Sequence, residues 1–164
     1  LFYFLDQKKV SIPLKIKTRG NFRKSASNCK YPPLMLNFPN SEVIDNTLFS
    51  GQNKMKLVTP CQGDEYTVHE YLVYKLYNLF SPQSFQGQLL KISFQDTLKR
   101  KKARTYYGLL LENENQMAQR NQALLFEKIG YQPTQLDKVK FLEMAVFEYL
   151  IANTDWSVQY QQNI

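Results

Sequence analysis

Lys56 stands in the middle of an alternating stretch, Lys54-Met55-Lys56-Leu57-Val58, and Glu70 follows it on a segment with helical periodicity. A strand lysine and a helix glutamate in this order are two of the parts that phosphoryl transfer needs, because that chemistry is mostly positioning and charge stabilisation. Glu65, one turn before Glu70, competes with it for the role of holding the lysine. Further along, Asn153-Thr154-Asp155-Trp156-Ser157 leaves the end of a strongly apolar segment, and Asn163 lies eight positions after Asp155. An aspartate in such a loop orients an acceptor hydroxyl, and a downstream asparagine shares the metal. Taken singly, each residue has an ordinary alternative: an exposed strand lysine, or Asn and Asp as turn formers after a helix. Trp156, the sole tryptophan, is equally explained as a packing residue.

Other chemistries have less to build on. His69 is the only histidine and falls on the helix face of Leu72, Val73 and Leu76, where a structural role is expected. Without a second histidine or a matched cysteine, a Ser/His/Asp or Cys/His hydrolase has little support. Glu112 and Glu114 form a carboxylate pair only by composition, and at this spacing they read as solvated charges at a strand end. Cys29 and Cys61 show no CxxC or Cys/His ligand spacing, so a zinc site is unsupported. Two outcomes stay open for them: one disulfide if the protein is exported, two thiols otherwise.

The elements that must position these residues follow from hydrophobic period. Val10–Thr18 is expected as a strand ending in the Arg19-Gly20-Asn21 turn, with Phe22–Lys24 beginning a return strand. Pro33–Phe38 alternates Leu34, Leu36 and Phe38, a second strand signal. In the Lys56 strand, Met55 and Leu57 share one face while Lys54, Lys56 and Val58 share the other. A helix is expected from Asp64 to about Phe80, with a stripe of Val68, Leu72, Leu76 and Leu79, stopped by Ser81-Pro82. Glu70 lies on a different face, with Val73 and Tyr77, and so can point back toward the sheet. Gln88–Asp96 and Thr105–Glu112 read as a hairpin, and Glu112–Gln122 as a polar connection with a helical turn. Thr134 is expected to cap a last helix reaching Ala152, apolar on almost every side and therefore buried.

Composition bounds the class. The chain has 164 residues, 43% apolar and 14% aromatic, enough to bury a core and to exclude disorder as its main description. No apolar run approaches the roughly 20 residues of a membrane helix, so no membrane span is expected. The net charge of +7 suggests a nucleic-acid binder at first. Five of those charges, however, are Lys99, Arg100, Lys101, Lys102 and Arg104, a run expected at a solvated hairpin tip without stacking aromatics, so no nucleic-acid partner is expected. The opening Leu1-Phe2-Tyr3 carries no signal peptide, which leaves the compartment open, an envelope or secreted location included.

The order is strands, lysine strand, helix, two strands, connection, buried helix, polar loop. It is the element order of a kinase small lobe followed by the opening of a large lobe. The Arg19-Gly20-Asn21 turn, the Lys56 strand, Tyr107-Gly108-Leu109-Leu110-Leu111-Glu112 and Asn153-Thr154-Asp155 together resemble the CotH family of atypical kinases. The likeness is closest to its Bacteroidetes-type members, with their "RGNFR", "PPL.LNF" and "NTDWS…NI" segments, and it covers about Leu14 to Ile164.

The resemblance implies an α+β, protein-kinase-like fold. An antiparallel small-lobe sheet with helix 64–80 would occupy residues 1–112, and the connection, buried helix and start of the catalytic loop residues 113–164. It implies ATP, Mg²⁺ or Mn²⁺, and a protein hydroxyl as acceptor. By position, Asp155 would be the catalytic aspartate and Asn163 a metal ligand. Arg19 and Lys56 would contact phosphates, Glu70 would hold Lys56, and the backbone at Leu111 and Glu112 would receive the adenine. The pattern departs from other kinases in lacking a GxGxxG loop, for which the Arg19-Gly20-Asn21 turn would substitute. The step from Asp155 to Asn163 is also longer than the usual catalytic-loop spacing. On this reading the second metal-binding aspartate would follow Ile164, and the chain as it stands is expected to be inactive. The alternative is a kinase-fold binding or structural protein without catalysis.

Overall fold

The computed structural model describes residues 1–20, 22–39, 44–61, 63–95, 98, 102–125 and 130–160. Of the expected features, Asn21 in the turn, Lys99, Arg100 and Lys101 in the basic run, and Asn163 lie outside them. The chain divides into two compact units, Leu1–Asn121 and Gln122–Ile164.

The first unit is mixed α+β, built on a five-stranded antiparallel sheet. Its strands are β3 (Lys15–Thr18), β4 (Leu34–Asn37), β5 (Lys54–Val58), β6 (Gly87–Phe94) and β7 (Arg104–Leu111), in the order β3-β4-β5-β7-β6. Helix α1 (Asp64–Phe80) connects β5 to β6, and β6 pairs along its whole length with β7 as the expected hairpin. A separate two-stranded sheet, β1 (Phe2–Leu5) with β2 (Lys8–Ser11), precedes it. Its two-residue turn holds Asp6 and Gln7 at φ of 47° and 64°, the left-handed pair that matches strand twist in a tight hairpin.

Alternation along the strands makes two cores. Leu57 and Leu110 face one side, where they join Ile12, Leu36, Phe38 and Ile44. Val58, Leu109 and Leu111 face the other, where Tyr71 and Tyr74 of α1 and Phe85 cover them. Lys56 is two residues from Val58 and therefore shares the α1 side, as its strand pattern predicts. Gly108 is required where β5, β6 and β7 crowd together. A Cβ there would clash with Ile92 and lie 3.3 Å from the Val58 carbonyl oxygen.

Several expectations are corrected. Val10–Thr18 is not one strand: Ile12-Pro13-Leu14 falls between β2 and β3, and proline has no N–H for a ladder. Phe22–Lys24 is a short 3₁₀ turn rather than a return strand. The Leu72, Leu76 and Leu79 stripe of α1 points outward, with Leu79 82% exposed, and the helix packs through Thr67, Tyr71 and Tyr74. A tyrosine ring offers a large apolar face for packing with its hydroxyl at the far edge. His69 is exposed and takes no structural position in a core. Helix α2 (Glu114–Arg120) forms the connection, capped by Asn113, whose side chain accepts from the Asn115 N–H. Arg120 ties α2 to the sheet end through the carbonyls of Pro82 and Ser84.

In the second unit a 3₁₀ turn (Pro133–Gln135) precedes α3 (Lys138–Leu150). The cap is Asp137, which accepts from the Lys140 N–H at 2.9 Å, rather than Thr134. The helix is also not buried all round: Leu142, Val146 and Leu150 are exposed, and Phe147 and Glu148 are its buried residues. An apolar composition supplies no packing partners by itself. This unit offers α3 one covered flank, where Phe141 meets the Trp156 ring at 6.2 Å.

Candidate functional site

The site begins where β3 ends. The Arg19 N–H donates to the Pro33 carbonyl, and Gly20 follows at φ 81°, a left-handed turn that glycine adopts without strain. The chain then enters the 3₁₀ turn bearing Arg23, which donates from Nη2 to the Thr59 carbonyl at 2.9 Å. A disulfide between Cys29 and Cys61, with Cα atoms 4.6 Å apart, fastens this excursion to the end of β5. Of the two outcomes left open for the cysteines, the structure takes the disulfide.

Two cavities flank Arg23. One of about 250 Å³ is lined by Arg19, Gly20, Phe22, Arg23 and Pro33. The other, about 160 Å³, is lined by Arg23, Cys61, Tyr66, Thr67 and Glu70. Burial pushes the Glu70 carboxyl above its ordinary range, and the positive charges of Arg23 and then Arg19 oppose that push. Glu70 thus shares a cavity wall with Arg23 and lies in the field of both arginines. The helix side that bears it is the side turned toward the protein.

Lys56 has a different partner from the one the sequence suggests. Its Nζ lies 3.0 Å from Glu114 Oε2 at the start of α2, and 5.3 Å from the centre of the Phe85 ring. Partial burial raises the Glu114 carboxyl, but a backbone N–H, the Lys56 ammonium and the Arg19 charge together hold it below its ordinary range. The Arg19 charge thus favours the ionised form of both acids.

Leu111 sits directly opposite Lys56 in the ladder, so the point where the chain leaves the sheet is brought beside the lysine. The Glu112 N–H donates to the Gln86 carbonyl at 3.0 Å, and its carboxylate takes Arg120 Nη2 at 2.6 Å and the Gln86 N–H at 2.9 Å. Glu112 and Glu114 are consequently not solvated charges: each is paired with a cation.

Asp155 lies in the second unit and is exposed, its N–H donating to Asn153 Oδ1 at 3.1 Å. Among the described residues no cluster of three or more His, Cys, Asp or Glu offers a metal site. The sequence reading missed Arg23 and Glu114. Arg23 was visible as the second arginine of Arg19-Gly20-x-x-Arg23, masked by assigning its segment to a strand. Glu114 stands out in the sequence only as half of a carboxylate pair with Glu112, and its Lys56 partner is fixed by the fold. No helix among the described residues is long and apolar enough to cross a membrane. Comparison with protein-family models, with curated proteins and with solved structures finds no match for this chain.

Proposed function

We propose that this chain is part of a CotH-like, ATP-dependent phosphotransferase in which Arg19, Arg23 and Lys56 hold the nucleotide phosphates. The observation that carries the reading is geometric: Arg19 and Arg23 line one cavity, Arg23 and Glu70 a second, and Lys56 pairs with Glu114 at the point where Leu111 leads the chain out of the sheet. Guanidinium pairs and a strand lysine suit a polyphosphate. The order of the sheet, with one helix between the lysine strand and the last hairpin, fits a kinase-like small lobe. In this reading Asp155 orients a protein hydroxyl, Asn163 shares Mg²⁺ or Mn²⁺, and the disulfide fits an oxidising, extracytoplasmic compartment.

The test is a thermal melt with and without Mg-ATP. Nucleotide at about 100 times Kd should stabilise the chain by about 2.7 kcal/mol, a rise of several degrees in Tm. Arg23→Ala should abolish most of the rise, and an unshifted wild-type melt overturns the nucleotide reading. Replacement of Asp155 by Asn should leave the shift intact and, in a full-length version, remove phosphoryl transfer; unchanged transfer would remove Asp155 from the mechanism.

A second reading, a nucleotide-binding module without catalysis, has its own observation. Lys56 is already paired with Glu114, and the Glu112 N–H is taken by the Gln86 carbonyl rather than left for a base. A Tm shift with no ADP release from Mg-ATP by a full-length version would favour it.

A further inference from the structure

The loop carrying Asp155 is built on a double link from a buried acid. Glu148, 8% exposed near the end of α3, accepts the Asn153 side-chain Nδ2 on its Oε2 at 2.6 Å, and its backbone carbonyl accepts the Asn153 N–H at 2.9 Å. The Ala152 N–H meanwhile reaches the Tyr149 carbonyl at 3.0 Å. These two backbone bonds are those of a Schellman ending, in which the residue after the cap adopts left-handed φ. Here that residue is Ala152, at φ 55°, where glycine would be unstrained. Asn153 then turns its other amide atom outward, and Oδ1 takes the Asp155 N–H at 3.1 Å.

We propose that Glu148 is a positioning residue for Asp155, acting through Asn153. A helix ending alone needs only the backbone bonds. The side-chain bond from a buried carboxylate adds a fixed orientation for the Asn153 amide, since Nδ2 is committed inward and Oδ1 must face the Asp155 backbone. A buried carboxylate kept for this purpose is costly unless it is hydrogen-bonded, and Asn153 supplies that bond. Strain at Ala152 is retained at the same point, a pattern that accompanies sites where backbone direction matters.

The inference rests on the phosphotransferase reading for the importance of Asp155, and the experiment separates the two. Glu148→Ala, Glu148→Gln and Asn153→Ala are compared with wild type by amide hydrogen exchange at Asp155 in this chain and, in a full-length version that continues past Ile164, by steady-state ADP release from Mg-ATP. Gln keeps an oxygen that accepts from Asn153, so Glu148→Gln should retain wild-type exchange and turnover. Glu148→Ala and Asn153→Ala should speed exchange at the Asp155 amide and lower kcat by about 10- to 100-fold, with KM for ATP unchanged because the phosphate cations are untouched. A purely structural Glu148 would lower Tm yet leave the Asp155 amide and kcat at wild-type values, and that result overturns the proposal. If the full-length wild type releases no ADP, the catalytic reading falls, while the exchange rates alone decide whether Glu148 sets the Asp155 backbone. If Glu148→Ala fails to fold, Asn153→Asp, which keeps an oxygen for the Asp155 N–H and removes the donor to Glu148, carries the same comparison.

Discussion

Arg23 is held by the Thr59 carbonyl and lines a cavity with Glu70, while Lys56 pairs with Glu114, so two arginines and a lysine outnumber the two acids beside them. Glu70 is the member whose ionisation the fold disfavours, because desolvation outweighs the arginines. Its folded pKa stands above the ordinary 4.5, so its contribution to stability is full below about that pH and is lost as pH rises through the folded value. Glu70→Gln should therefore raise Tm near neutral pH, and the gain should vanish below about pH 4.5. Melts of both proteins at the two pH values check it; an equal gain at both would mean that charge is not the cause. Glu114 has the opposite sign, with a lowered pKa, and its pairing with Lys56 weakens as pH falls through that value.

Helix α1 shows how an element can be legible in extent and ambiguous in orientation. Asp64 and Phe80 bound it in both sequence and structure, since the helical period and Ser81-Pro82 are local signals. The leucine stripe that marks the helix looks outward, and the tyrosines pack on Val58, Leu109 and Leu111. Leu79→Gln should consequently change stability by less than about 0.5 kcal/mol, whereas Tyr74→Ala should cost about 2 kcal/mol or more. Urea unfolding of the two variants measures this; the reverse ranking would put the leucine face inside. For α3 the same lesson holds, as apolar residues on every side did not bring partners to every side.

Across the whole molecule the disulfide is the longest covalent constraint. Cys29 and Cys61 are 32 residues apart, and the link ties the Arg23 excursion to the end of the Lys56 strand. Loop-closure entropy for that separation corresponds to about 3–4 kcal/mol of stabilisation. Reduction should lower the urea midpoint accordingly, and it should also weaken any Mg-ATP shift because Arg23 loses its anchor. A midpoint unmoved by reductant would show that packing alone holds the excursion in place. The division into Leu1–Asn121 and Gln122–Ile164 assigns the arginine and lysine cluster to the first unit and Asp155 to the second.

The sequence by itself determined what depends on neighbours along the chain. It specified the bounds of α1, the β6–β7 hairpin, the strand carrying Lys56 and the face on which that lysine stands, because periods of two and 3.6 residues are written locally. It also presented Arg19, Lys56 and Glu70 as members of one chemistry. Only the tertiary structure decided who meets whom: Glu70 with Arg23, Lys56 with Glu114, Glu112 with Arg120, and Cys29 with Cys61. Those partners come from separate elements, and the energy of each pairing depends on burial and distance that exist only once the sheet and helices have packed.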